Sequence, residues 1–149
     1  MKDAERIISS SEFCNIASVC EDGAPWNTPV FFVSDKEKNI YWWSSRKAVH
    51  SKNVLRDGRV FITILDKKAT QKDGRAVYIQ GRAKVLEDEA AITKASELYN
   101  RRSTFVKLTK DITSGKAPTR IFKATPENVW LNAEGKEGEY YIDVRKKIS

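Results

Sequence analysis

Residues 39–60, NIYWWSSRKAVHSKNVLRDGRV, decide how the chain folds. The aromatic run at residues 40–44 predicts a strand, the polar residues after it a turn, and residues 48–56 a short basic helix. The helix should stop at Asp57-Gly58, because glycine enters the left-handed C′ conformation without a Cβ penalty. Residues 59–65 are rich in β-branched and aromatic side chains and predict a central strand.

Working outward, residues 3–10 suggest a short helix with Asp3 as its N-cap and Ile7 and Ile8 as its apolar contacts. Strands are predicted at 15–20 and 26–34, joined through Glu21-Asp22-Gly23, where Asp-Gly suits a type I′ turn. A second turn at 35–39 leads into the strand at 40–44, so the three strands read as a meander. On the C-terminal side, a polar loop at 66–74 precedes a long strand at 75–86. Residues 88–100 place Ala91, Ile92, Ala95, Leu98 and Tyr99 at helical spacing behind acidic residues suited to a first turn. Between 101 and 118, Phe105, Val106, Leu108 and Ile112 fit either a second helix or a packed loop. Strands at 119–125 and 128–131 are expected to flank a turn at 125–128, with a last strand at 139–144. The expected fold is mainly β with flanking helices: one domain over residues 1–149, built on a six-stranded antiparallel split β-barrel of Greek-key type, since closure removes exposed strand edges.

The 149 residues allow a core that buries roughly two-thirds of the unfolded surface. A hydrophobic fraction of 40% and a charged fraction of 32% are those of a soluble globular protein, and no apolar run approaches the roughly 20 residues needed to span a bilayer. The N-terminus has no apolar core followed by small residues, so a cytoplasmic protein is expected. Cys14 and Cys20 on one strand would lie about 20 Å apart, far beyond disulfide reach. Two thiols and one histidine also fall short of a structural zinc site, so no metal is expected. The net charge of +7 is spread over turns and helix faces, and suits a solvated basic surface, an anionic cofactor or nucleic acid.

The sequence carries no glycine-rich phosphate loop, no G-x-S-x-G elbow and no H-E-x-x-H pair. His50 is the only histidine, so any nucleophile–histidine dyad would have to use it. Ser44, Ser45, Arg46, Lys47, His50, Ser51, Lys52 and Asn53 concentrate hydroxyl and cationic donors around a helix start, where free backbone N–H groups also attract phosphate. The same pattern is compatible with one of Trp42 and Trp43 in the core, the other shielding a barrel end, and the cations simply in solvent.

The order of motifs adds a further reading. A D-G hairpin is followed by P-x-x-x-P-V-F-F, I-Y-W-W-S-S, H-S-K-N-V, R-V-F-I-T-I and a strand ending Q-G-R-A-K-V. This order, over residues 14–87, resembles the flavin-binding split-barrel family that includes pyridoxamine 5′-phosphate oxidase, and residues 121–130 are similar to the family's last strands. The resemblance implies FMN at a homodimer interface, with Thr28, Pro29 and Val30 along the ring and ribityl chain. Trp43 and Ser44 fall where the family has an aromatic and a hydroxyl residue. Ser45-Arg46-Lys47 imitates the family's phosphate-binding tripeptide but comes early; the ungapped register puts those positions at Ala48, Val49 and His50.

Two fixed cations of the family pattern are thereby missing, His50 standing for a lysine and Thr28 for an arginine, with Ser51, Lys52, Arg46 and Lys47 as replacements. FMN binding is then expected to weaken as pH rises through the pKa of His50. The C-terminal arginine- and histidine-containing substrate segment of true pyridoxamine phosphate oxidases has no counterpart, so vitamin B6 oxidation is not expected. The resemblance implies an FMN-dependent oxidoreductase with a small-molecule substrate or a reduced nicotinamide as donor, no acid or base being assigned. A deazaflavin, haem ligated by His50, flavin storage without catalysis, and single-stranded nucleic acid on exposed aromatics remain the alternatives, nucleic acid ranking lowest. Trp130 suits either the core or a cover over the ring from across the dimer.

Overall fold

Local signals set most element boundaries in the computed structural model, which describes residues 2–149. Helix α1 (Lys2–Ser10) buries Ala4, Ile7 and Ile8 and leads into β1 (Phe13–Val19) and β2 (Pro25–Phe31). After Phe32 come β3 (Val33–Ser34), β4 (Ile40–Ser45), α2 (Val49–Arg56), β5 (Arg59–Leu65) and β6 (Ala76–Val85). Helices α3 (Glu89–Arg102) and α4 (Lys110–Ser114) precede the long β7 (Thr119–Glu137) and β8 (Tyr140–Lys147).

The chain is mainly β, and its strands form one antiparallel sheet of order β2-β1-β5-β6-β7-β4-β3, with β8 paired to β7. There are eight strands where six were expected. One reason is that Phe32 breaks the segment expected at 26–34 into β2, which pairs with β1, and β3, which pairs with β4. The expected meander therefore splits: β2 and β3 are one residue apart in sequence and at opposite ends of the strand order.

The other correction concerns 125–128, which is no turn. Gln80 pairs with Asn128 and Gly81 with Pro126, so Glu127 is an extra residue and β7 runs on through a β-bulge. Gly81 makes the bulge possible, because a Cβ there would sit 2.2 Å from the Thr125 carbonyl oxygen. The extra residue also reverses which side chains face inward. Phe122 and Ala124 are buried before the bulge, Val129 after it, and Trp130 is left on the outer face against Phe61. The hairpin turn differs as well: Gly23 alone has positive φ, 87°, while Asp22 does not, so the turn is not type I′.

The main core lies on the inner face of the sheet, where Trp42 and Phe122 stack with ring centroids 5.7 Å apart. β4 is apolar on both faces for a structural reason. Ile40 and Trp42 enter that core, while Tyr41 and Trp43 join a second cluster under α3 with Ile92, Ala95 and Tyr99. Asp88 caps α3 by accepting the Ala91 N–H at 2.8 Å. The ambiguous stretch after α3 is a loop and then the short α4, held where Asn100 exchanges hydrogen bonds of 3.0 and 2.7 Å with the backbone of Leu108. No helix among the described residues is long and apolar enough to cross a membrane.

Candidate functional site

Helix α2 packs against β1, β2 and β6, so it covers one end of the inner face. Two polar contacts fix it there: Asn53 Nδ2 donates to Ser18 Oγ at 3.0 Å, and Arg56 donates to the Val19 carbonyl. Both residues of the first contact are buried.

At the helix start, Ala48 occupies the N-cap position and offers no side-chain cap. The first-turn N–H groups of a helix have no partner within it, so this uncapped end is free to meet an anion. Ser51, in the first turn, is 0% exposed, and among the described residues its Oγ has no hydrogen-bond partner. A buried, unpaired hydroxyl costs about 1–3 kcal/mol, which makes it a marker for a missing partner. Beside it, His50 Nε2 lies 3.0 Å from Ser44 Oγ, and the ring is 8% exposed. Burial lowers the His50 pKa below its ordinary value, so the imidazole is neutral at neutral pH.

The expected residues do not all gather here. Ser44, His50 and Ser51 do. Trp43 and Ser45 point to the other face of β4, with Trp43 Nε1 donating to the Ile112 carbonyl at 3.2 Å and Ser45 Oγ accepting the Lys47 N–H at 3.2 Å. Arg46, Lys47 and Lys52 are exposed around the helix start. On β2, Thr28 and Val30 share the inner face with Ile16 and Cys14, whereas Pro29 is exposed opposite Asn15.

Two residues, Trp26 and Arg120, escaped sequence reasoning, as did the role of a third, Asn53. Trp26, exposed, lies on the Thr28 face and donates Nε1–H to Thr28 Oγ1 at 3.0 Å. Asn53, named only as a donor, orients α2. Arg120 lies directly opposite Ser44 in the β4–β7 ladder, so both side chains leave the same face. Its guanidinium donates to the carbonyls of Gly115, Ala117 and Thr119 at 3.0, 2.7 and 2.7 Å. With Arg46, Glu87 and Leu55 it lines a cleft of about 320 Å³. Nothing in the sequence joins Arg120 to Ser44 except the strand pairing.

The fold that carries these residues is a mainly β one, a single antiparallel sheet flanked by short helices. The chain is a member of the pyridoxamine 5′-phosphate oxidase family, whose model matches residues 1–133. HutZ, the haem storage protein of Vibrio cholerae, is 16% identical, with 93% of this chain and 97% of that one covered at a TM-score of 0.69. The conserved hypothetical protein Rv2991 of Mycobacterium tuberculosis is 19% identical over 87% and 82% of the two chains, TM-score 0.68. The FAD binding protein of Mycobacterium smegmatis is 16% identical over 87% and 91%, TM-score 0.65. At these identities the likeness is one of fold. No curated protein matches the sequence.

Proposed function

We propose that the protein binds FMN with its phosphate at the start of α2 and acts as a small flavin-dependent oxidoreductase. The observation that carries this reading is the unpartnered, fully buried Ser51 hydroxyl in the first turn of an uncapped helix. Ser44 and His50 would bind the phosphate beside it, and Arg120, directly opposite Ser44, would supply the fixed positive charge that His50 and Thr28 do not. Thr28 and Val30 would line the ring from β2, with Trp26 as an exposed aromatic neighbour. When bound, the flavin supplies hydride chemistry, and the chain supplies binding and orientation.

In the same reading residues 1–149 are one domain whose sheet closes as a split barrel, and the protein works in the cytoplasm as a homodimer that takes a reduced nicotinamide or small-molecule substrate. The outer sheet face supports the dimer. Its centre carries Asn15, Thr63, Tyr78 and Trp130, with the Arg145 guanidinium 3.8 Å over the Tyr78 ring, and Arg59 and Arg82 pair beside it, an aromatic and arginine-rich surface of the kind enriched at interfaces.

Haem is the second reading, favoured by the haem-binding relatives and by a buried, neutral His50. Against it, His50 Nε2 is already engaged with Ser44. Visible spectra after separate addition of FMN and haemin separate the two. A perturbed flavin spectrum lost in Ser51→Asp supports FMN, a Soret band lost in His50→Ala supports haem, and a protein indifferent to both ligands refutes both.

A further inference from the structure

The β7–β8 ribbon is built unlike the rest of the sheet. β7 leaves the body after Leu131, and every residue of β8 is exposed, with Tyr140 and Tyr141 at 79% and 77%. β8 pairs only with β7, so among the described residues its other edge has no partner along its whole length. A two-stranded ribbon is marginal in water, and a long open edge is normally paired, charged or covered.

Its two faces differ. Direct pairs put Tyr140, Ile142 and Val144 on the same face as Ala133 and Gly135, continuous with half-buried Leu131, which packs on the main core. Gly135 keeps this stripe closed, because a Cβ there would fall 2.2 Å from Val144 Cγ2 and 2.9 Å from Ile142 Cγ1. The charges of β8 are polarised along the strand: Glu139 precedes it, and Arg145, Lys146 and Lys147 end it. A strand acidic at one end and basic at the other complements an antiparallel copy of itself.

We propose that β8 pairs edge to edge with β8 of a second copy about a twofold axis, joining two ribbons into a four-stranded antiparallel sheet. Antiparallel partners must both point their backbone groups inward or both outward, so the two residue numbers of each pair share parity. Centring the axis on Ile142 sets Ile142 against itself, Tyr140 against Val144 and Glu139 against Arg145, and brings both apolar stripes onto one face. Centring it on Asp143 would oppose two carboxylates. The interface is isologous, and Arg145, whose guanidinium lies over Tyr78, is the one residue named above that it shares with the outer sheet face, while Ile142 at its centre is no part of that face.

The test is the mass of the full-length protein by light scattering, with and without Ile142→Lys, which sets two ammonium groups against each other. Since Ile142 lies outside both core clusters, the variant keeps the melting temperature of the body and halves the mass of the assembly. Ile142→Cys supplies a second measurement. Directly opposed Cα atoms stand about 4.5–5.5 Å apart, within disulfide range, so mild oxidation should join two copies through that residue, while Tyr141→Cys joins none. An unchanged mass in Ile142→Lys, or no inter-copy disulfide at residue 142, overturns the pairing.

Discussion

Gly81→Ala tests whether one residue without a side chain sets the face on which Trp130 appears. The added Cβ meets the Thr125 carbonyl oxygen at 2.2 Å, its carbon at 3.1 Å and Pro126 Cα at 3.2 Å. All three are backbone atoms in the middle of the β6–β7 ladder, so no side chain can swing away, and the strands must part by about 1 Å to restore ordinary contact. Overpacking of this kind costs about 1–3 kcal/mol, and a backbone collision belongs at the upper end. For a chain of this size about 3 kcal/mol corresponds to a fall of roughly 6–12 °C in melting temperature. Gly74→Ala is the control, since its Cβ would meet only the Thr70 carbonyl oxygen, at an ordinary 3.6 Å. Differential scanning calorimetry of the two variants decides the matter. A Gly81→Ala protein that melts within about 1 °C of Gly74→Ala would refute the assignment of the bulge to this residue.

Other consequences follow from single groups. Ser51→Ala removes an unpaired buried hydroxyl, so chemical denaturation should show the free protein about 1 kcal/mol more stable while FMN titration shows weaker binding; a loss of stability would mean that the hydroxyl has a partner. Lys38 holds a left-handed backbone at φ 62°, so Lys38→Gly should stabilise by about 1 kcal/mol, read from the urea midpoint, and destabilisation would contradict the strain. Asp35, Asp57 and Asp66 have pKa values below the usual carboxylate range. For Asp35, burial opposes the charge, but hydrogen bonds from Asn39 and Tyr41 overcome it, while Arg59 and Arg6 hold the other two down, Asp57 to about 2. Their stabilisation is full above the unfolded carboxylate pKa and lost as pH falls through the lower folded values, so the urea midpoint should drop on acidification below about pH 4; a flat profile there would contradict it. His50, lowered by burial, favours the folded state above about pH 6.5 and loses that contribution as pH falls through its folded pKa, a dependence that His50→Gln should abolish.

What could be read in the sequence was what is local. The α3 helix has its capping aspartate, its apolar spacing and its terminal arginines within one segment, and β5 alternates Val60, Ile62 and Ile64 inward, so both were legible. The stretch Thr125-Pro126-Glu127-Asn128 has the chemistry of a turn, and it is strand only because Gly81, on another strand, leaves room for the bulge. The same holds at the site. Ser44, His50 and Ser51 are near neighbours in sequence, so the cluster of donors was legible, whereas Arg120 stands opposite Ser44 only through the β4–β7 register. Trp43 was placed by likeness to an aromatic site residue, but strand alternation turns it toward α4, a direction that the doubly apolar run at 40–43 conceals.

Arg120, opposite Ser44 on β7, and His50, at the start of α2, would act differently on an anion. The Arg120 guanidinium is held by three carbonyls, so its orientation is largely preorganised. His50 is neutral in the empty site because burial disfavours its cation, and a phosphate beside it would favour that cation. If FMN binds there, binding would be linked to uptake of a proton at His50. The His50 contribution to affinity would be greatest below the lowered pKa of the free protein and would fall as pH rises from there to the higher pKa of the complex. That contribution would be lost from a more acidic pH than an exposed histidine would give. A lysine in place of His50 would remove this dependence near neutrality, so the departure from the family pattern at this position changes how binding responds to pH while leaving a fixed cation opposite Ser44.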